Sequence, residues 1–405
     1  MKADDGTVSA RMPALDQVRD YLRHQLRRLG RGELESVRVL IGIAVIWTIF
    51  QVANDRYLSA INLSNLVLQM AGVATISIGV VLILLLGEID LSVGAVSGLA
   101  SAVMAVLSVK HGVSPDLAIV IGLLVGTAVG LFNGFFVTFI GIPSFVVTLA
   151  GLIGWQGAQL AVLGSTGTVN LPESTITDLT STFFEPGVGW TIAVVAIAAY
   201  AAAELISRMR RAQANLEVPP LGETIVKLVA VGAAVAASVA ILNQDRGVPL
   251  AIVIVVGLAI LFSFITQRTR FGRHIYAVGG NAEAARRAGI RINQVRIAVF
   301  MLGSTLAAAG GILLASRLLA VNQQSGGSDL LLFAIAGPVV AGTSLFGGRG
   351  FVWSALLGAL LIQSISNGMD LLALESDVKF MITGGVLLLA VTIDALTRRR
   401  RQAAA

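Results

Sequence analysis

The chain contains no cysteine. That excludes disulfides, thiolate metal sites and cysteine nucleophiles. Charge is scarce as well. Only 13% of the 405 residues are Asp, Glu, Lys or Arg, against about 25% in a soluble domain. The three histidines, His24, His111 and His274, share no metal-like spacing. No G-x-x-x-x-G-K-[ST] occurs, nor any Gly-Lys pair, so the chain has no phosphate-binding loop of that kind. The Gly-rich "GGRG" at 347–350 lacks the lysine and reads as a tight turn. Residues 1–37 lack the apolar core and cleavage site of a secretory signal.

Apolar residues fill the space that charge leaves. They make up 56% of the chain, and runs of about 20 recur, each long enough to cross a bilayer. The pattern predicts an all-α polytopic membrane protein. Candidate spans fall at 38–54, 66–87, 91–110, 116–140, 145–163, 188–206, 224–242, 248–267, 293–316, 331–345, 351–368 and 378–396. That is about 10–12 crossings. The turns between the second and third spans, and between the tenth and eleventh, are very short, so some spans are expected to be broken or re-entrant.

The formal charge of +6 fits loops that set topology better than nucleic-acid binding. With the N-terminus inside, the even spans return to the cytoplasm at "SRMRR" (207–211), "QRTRFGRH" (267–274) and "RRRR" (398–401). The opposite loops carry only single cations: Arg56, Lys110, Arg246, Arg317 and Lys379. This predicts both termini in the cytoplasm. The division is then an arm at 1–37, a transmembrane domain at 38–397 with a cytoplasmic loop at 269–292, and a basic tail at 398–405. In the arm, Leu15, Val18, Leu22, Leu26 and Leu29 share one helix face. It reads as a helix lying on the membrane or as a solvated tail. The longest outside segment, 164–187, reads as a polar loop rich in Ser, Thr and Pro.

Inside the cytoplasmic loop, "GGNAEAARRAGI" (279–290) has its own start and stop signals. Asn281 is a good N-cap, Glu283 suits the first turn, and Gly289 ends the helix. Two turns are too short to be stable alone. Ala284 and Ala285 allow close approach, while Glu283, Arg286 and Arg287 offer polar contacts. The segment is either a capped helix packed on its own protein or a handle for a partner.

Other features also carry two readings. Glu88 and Asp90, in "GEIDLSVG" (87–94), form a gating turn, or else Asp90 caps the next helix and Glu88 lies among headgroups. Gly122, Gly126, Gly130 and Gly134 are a small-residue stripe suited to helix packing. Asn133, Ser144, Phe145, Thr148, Gln156, Gln363 and Asn367 are intramembrane groups that line a solute pathway or bridge helices. An integral-membrane transferase would need a second carboxylate cluster beside Glu88 and Asp90. A gradient-driven carrier would usually show ionisable residues in mid-span, and the spans have almost none.

The four motifs "GEIDLSVG", "IPSFVVTLAG" (142–151), "GGNAEAARRAGI" and "AGTSLFGGRGFVWSALLGALLIQSISNGMDLL" (341–372) occur in this order. In that order they resemble permease subunits of bacterial sugar importers of the ATP-binding-cassette type. The branch is the one with ribose, arabinose, galactose and xylose permeases. The extra apolar pair before "RGVP" (246–249) is most similar to the xylose branch. Ala341 and Glu88 stand where many of those relatives have glycine. The resemblance implies an import permease, not an enzyme, in the bacterial inner membrane. It implies partners: a second permease copy, a periplasmic sugar-binding protein, an ATPase subunit and a monosaccharide. It also implies that Gly280, Asn281, Glu283, Ala284, Ala285, Arg286, Arg287 and Gly289 form the ATPase-coupling segment. No cofactor is implied.

Overall fold

The structure, a computed structural model, describes residues 35–375, 377–385, 388 and 392. The N-terminal arm to residue 34, nine residues of the last candidate span and the basic tail lie outside them. Helices α1 (Glu35–Ala53), α2 (Ala60–Leu85), α3 (Val93–His111), α4 (Pro115–Phe135) and α5 (Ser144–Leu163) come first. Strand β1 (Thr168–Asn170), α6 (Thr175–Ser181) and β2 (Phe183–Phe184) follow. Next are α7 (Pro186–Gln213), α8 (Leu221–Leu242), β3 (Val248–Pro249), α9 (Leu250–Arg268), α10 (Arg270–Gly280) and α11 (Ala282–Arg287). Helix α12 (Ile292–Leu318), β4 (Ala320–Asn322), α13 (Ser328–Val340) and α14 (Trp353–Leu371) end the series.

Eight of the described helices are long and apolar enough to span a membrane. Helix α13 is not one of them. Its 13 residues rise about 20 Å, short of the roughly 30 Å hydrocarbon core. The tenth candidate span is therefore too short to cross by itself, and the segment 341–352 joins it to α14. Pro338 lies inside α13 and removes one ladder hydrogen bond.

The larger compact unit contains the described residues of Glu35–Phe184 and those from Val248 onward. Its centre is α12, which packs on α2, α3 and α4. The close approach needs glycine on both sides. A Cβ on Gly79 would fall 2.6 Å from the Gly303 carbonyl, and one on Gly126 would fall 2.6 Å from Ala308 Cβ. The stripe predicted from Gly122 to Gly134 thus faces α12 and α3, as packing glycines do. Helix α2 is nearly enclosed, with 89% of its apolar window buried, whereas α5 has 28%. Helix α1 packs on α14, where Trp47 Nε1 donates to Ser364 Oγ at 2.9 Å and Tyr57 donates to the Ser364 carbonyl at 2.8 Å.

Two short antiparallel ribbons pin the loops. β1 pairs with β4 (Val169 opposite Val321), and β2 pairs with β3 (Phe184 opposite Val248). The segment 164–187 therefore contains more than the expected loop. Its helix α6 starts at Ser174, whose N–H bonds Thr177 Oγ1 at 2.9 Å, and Thr180 meets Ser316 of α12 at 2.8 Å. Strong turn composition hid a seven-residue helix that only tertiary contacts sustain.

The smaller unit contains the described stretch Glu185–Gly247, namely α7 and α8. The two helices pack on each other. Arg208 Nη1 closes their connection by donating to the Pro219 carbonyl at 2.6 Å and Thr224 Oγ1 at 2.7 Å.

Candidate coupling segment and intramembrane polar cluster

Helix α9 ends at Arg268, and Thr269 restarts the chain by accepting the Gly272 N–H at 3.1 Å. Helix α10 then runs to Asn281, whose extended backbone (φ −162°, ψ 101°) breaks it. Asn281 Oδ1 accepts the Ala284 N–H at 2.9 Å and so starts α11. Gly289, at φ +82°, closes it, and the Ile290 N–H reaches back to the Ala285 carbonyl at 3.1 Å. These are the stop and start expected from the residues.

The helix has two faces. Ala285 is buried in the main core, so it packs on its own protein, while Ala284, Asn281 and Gly280 are exposed. Glu283 pairs with Arg286 at 3.4 Å and Arg287 at 3.3 Å, and all three are well exposed. Such pairs contribute little stability, and their charges remain available to a partner. Two open grooves of 440 and 450 Å³ flank the segment, with Arg291 and Gln294 common to both.

What lies behind the helix is rigid. Gly279 sits so close to the Leu85 carbonyl, at the end of α2, that no side chain fits there. The Gly348 N–H donates to that same carbonyl at 2.9 Å. A Cβ on Gly347 would lie 2.6 Å from the Gly279 carbonyl and 2.8 Å from Gly87 Cα. Two turns, 86–87 and 347–348, and the end of α10 at 279–280 therefore meet as bare backbone. Tyr276 adds a bond to the Gly350 carbonyl at 2.9 Å. Burial raises its hydroxyl pKa above the ordinary value, with Thr266 opposing, so it stays a donor at neutral pH.

Beside this junction, Glu88 pairs with Arg296 of α12 at 3.0 Å. Asp90 is buried. Its Oδ1 accepts from the Ser92 N–H at 2.7 Å and the Ser92 hydroxyl at 2.6 Å. It thus caps the turn ahead of α3. Asn133 Nδ2 donates to Ser92 Oγ at 3.0 Å, Ser144 Oγ accepts the Ile89 N–H at 3.2 Å, and Thr148 Oγ1 accepts the Leu91 N–H at 3.0 Å. Three of the candidate pathway residues thus converge on one turn. Gln363 and Asn367 lie elsewhere, buried on α14. Asn367 bonds Asn62 at 2.8 Å and Gln69 at 3.3 Å across to α2. Phe145 and Gln156 are exposed on the outer face of α5. Arg296, Ser92, Trp155 and Gln159 were not singled out from sequence. Gln159 Nε2 donates to the Asn322 and Ser325 carbonyls, both at 2.9 Å. Arg296 and Gln159 carry no local mark, because their partners Glu88, Asn322 and Ser325 are distant in the chain.

A multi-helix bundle with broken helices, a polar cluster within it and a capped helix exposed at one end defines a membrane transport subunit. The family described as "Branched-chain amino acid transport system / permease component" matches residues 62–391, and the chain belongs to that family. It is 36% identical to the xylose transport system permease protein XylH of Haemophilus influenzae over 374 residues, 92% of this chain and 99% of that protein. It is 35% identical to XylH of Escherichia coli K12, covering 93% and 94% respectively. The ribose import permease protein RbsC of Bacillus subtilis is 29% identical over 90% of this chain and 94% of its own length. No solved structure matches. The protein is a multi-pass inner-membrane permease, not an enzyme.

Proposed function

We propose that this chain is the membrane subunit of an ATP-driven importer for a monosaccharide, with xylose or a related pentose as substrate. A binding protein outside would deliver the sugar, a second copy of the chain would complete the channel, and an ATPase subunit would dock on residues 281–288. Both termini would then face the cytoplasm. The full-length similarity to xylose permeases supports the substrate class. The family description speaks of branched-chain amino acids, but the polar cluster offers amides and hydroxyls with one carboxylate. That set suits a neutral polyol better than a zwitterion.

The observation that carries the reading is the form of α11. It is a two-turn helix with exposed charges, held at its base by the backbone junction of 86–87, 279–280 and 347–348. A push on the helix would reach the ends of α2 and α13 through groups that cannot yield. This is a two-state element biased from a distant site.

The test is to replace Glu283 by Arg and, separately, Ala285 by Pro. Proline removes the Ala285 N–H bond to the Asn281 carbonyl, now 3.0 Å, and costs about 3 kcal/mol within a helix. Both variants are expected to insert normally, lose sugar uptake and release the ATPase in pull-down. Undiminished uptake by both would refute the coupling role.

A further inference from the structure

Among the described residues, eight buried side-chain polar atoms lack a hydrogen-bond partner. Three of them fall in one neighbourhood. Asp90 Oδ2 and Asn133 Oδ1 belong to side chains that both bond Ser92, through Asp90 Oδ1 and Asn133 Nδ2. The third is Trp155 Nε1. A Cβ on Gly151 would sit 2.9 Å from that nitrogen and 3.4 Å from Ser92 Cβ, which places the indole N–H beside the same serine. Asp90 and Asn133 are 3% and 0% exposed. Orphaned polar groups buried this deeply are costly, so each calls for a partner.

Their surroundings say what the partners are. The set is two oxygen acceptors and one N–H donor, which matches the hydroxyls of a neutral solute. Trp155 packs edge-on against Phe132, ring centroids 5.3 Å apart. The aromatic pair offers apolar ring surface beside the polar atoms, the combination that grips a sugar. On the outer face of α5, Gln156 is exposed in mid-span, and Gly154 and Gly157 have open space at their Cβ positions. An amide turned to hydrocarbon is unfavourable, and Gln156 is the polar exception on an exposed surface that Phe145, Leu149, Ile153 and Leu160 otherwise make apolar.

We infer that Asp90, Asn133 and Trp155 form a recognition station for a neutral polyhydroxylated solute, closed in this conformation and uncovered when α5 moves off the start of α3. This rests on the sugar-importer reading and adds to it a set of contacts. Asp90 Oδ2 and Asn133 Oδ1 accept hydroxyl hydrogens, Trp155 Nε1 donates to a hydroxyl oxygen, and the Trp155 and Phe132 rings offer the apolar surface.

The experiment uses the permease reconstituted in proteoliposomes with its ATPase and saturating binding protein. Uptake is followed for a transported monosaccharide and its monodeoxy analogues, each supplied at concentrations that load the binding protein equally. Wild type is expected to lose about tenfold in rate with at least one deoxy analogue. Trp155→Phe, which keeps the ring and removes the N–H, and Asp90→Asn should each slow the parent sugar about tenfold. Each should also erase the penalty for its own deoxy position. ATP hydrolysis without sugar should match wild type, which separates contact from misfolding. If Asp90→Asn does not insert, Trp155→Phe carries the test alone. Unchanged rates, or equal deoxy penalties in wild type and variants, overturn the station. Failure of wild type to move any monosaccharide overturns the importer reading beneath it instead.

Discussion

Arg296 enters the membrane end of α12 and meets Glu88 there. Both are largely buried, at 28% and 14% side-chain exposure. A pair so placed contributes less net stability than its distance suggests, because both ions lose water. Removing one partner is another matter, since it strands the other. Arg296→Met is therefore expected to destabilise the protein by about 1–3 kcal/mol, below the 3–5 of a fully buried pair. Adding Glu88→Gln should recover part of the loss. Thermal unfolding of the three variants in detergent, read as a double-mutant cycle, measures this coupling. The pair also marks the limit of reading one sequence. Glu88 stood out because carboxylates near hydrocarbon need a reason, but its cation lies far along the chain. Asp90 was expected to cap the next helix, but it bonds Ser92 within the turn, and α3 starts at Val93 with no side-chain cap. Asn133 joined that turn only through folding.

Among elements, the long helices were readable because length and hydropathy decide them, although α2 begins six residues before its candidate span and α7 runs seven residues past its own. The segment 281–289 was readable because N-cap and glycine C′ chemistry is local. Helix α6 was missed, and so was the π-helical turn Phe136–Ile140 that ends α4, since neither is dictated by its own residues. The glycine junction was likewise invisible: "GGRG" read as a turn by itself, and only the structure brings Gly279 and Gly348 to the Leu85 carbonyl. It makes a sharp forecast. Gly279→Ala places a methyl against that carbonyl, and Gly347→Ala adds a strained φ of +81°. Each should leave membrane insertion intact while uptake falls at least tenfold and ATP hydrolysis escapes control by sugar delivery. Uptake assays on variants matched for membrane content decide it.

At the scale of the whole molecule, charge predicts which end faces the cytoplasm. The cysteine-free chain is a ready background for testing it. A single cysteine at Ala288, exposed after α11, should react with an impermeant maleimide only from the cytoplasmic side. One at Asn170, exposed on β1, should react only from outside. Labelling of both from the same side would overturn the assigned orientation.

The β2–β3 ribbon carries a last implication. Phe184 and Val248 are direct neighbours across it, so the chain leaves the main body for α7 and α8 and returns to the spot it left. The hairpin is thus spliced in as a cassette, and a two-residue turn would bridge the cut ends. Such a site lets a lineage gain or shed a helix pair without disturbing the core, and it offers an engineer a ready graft point.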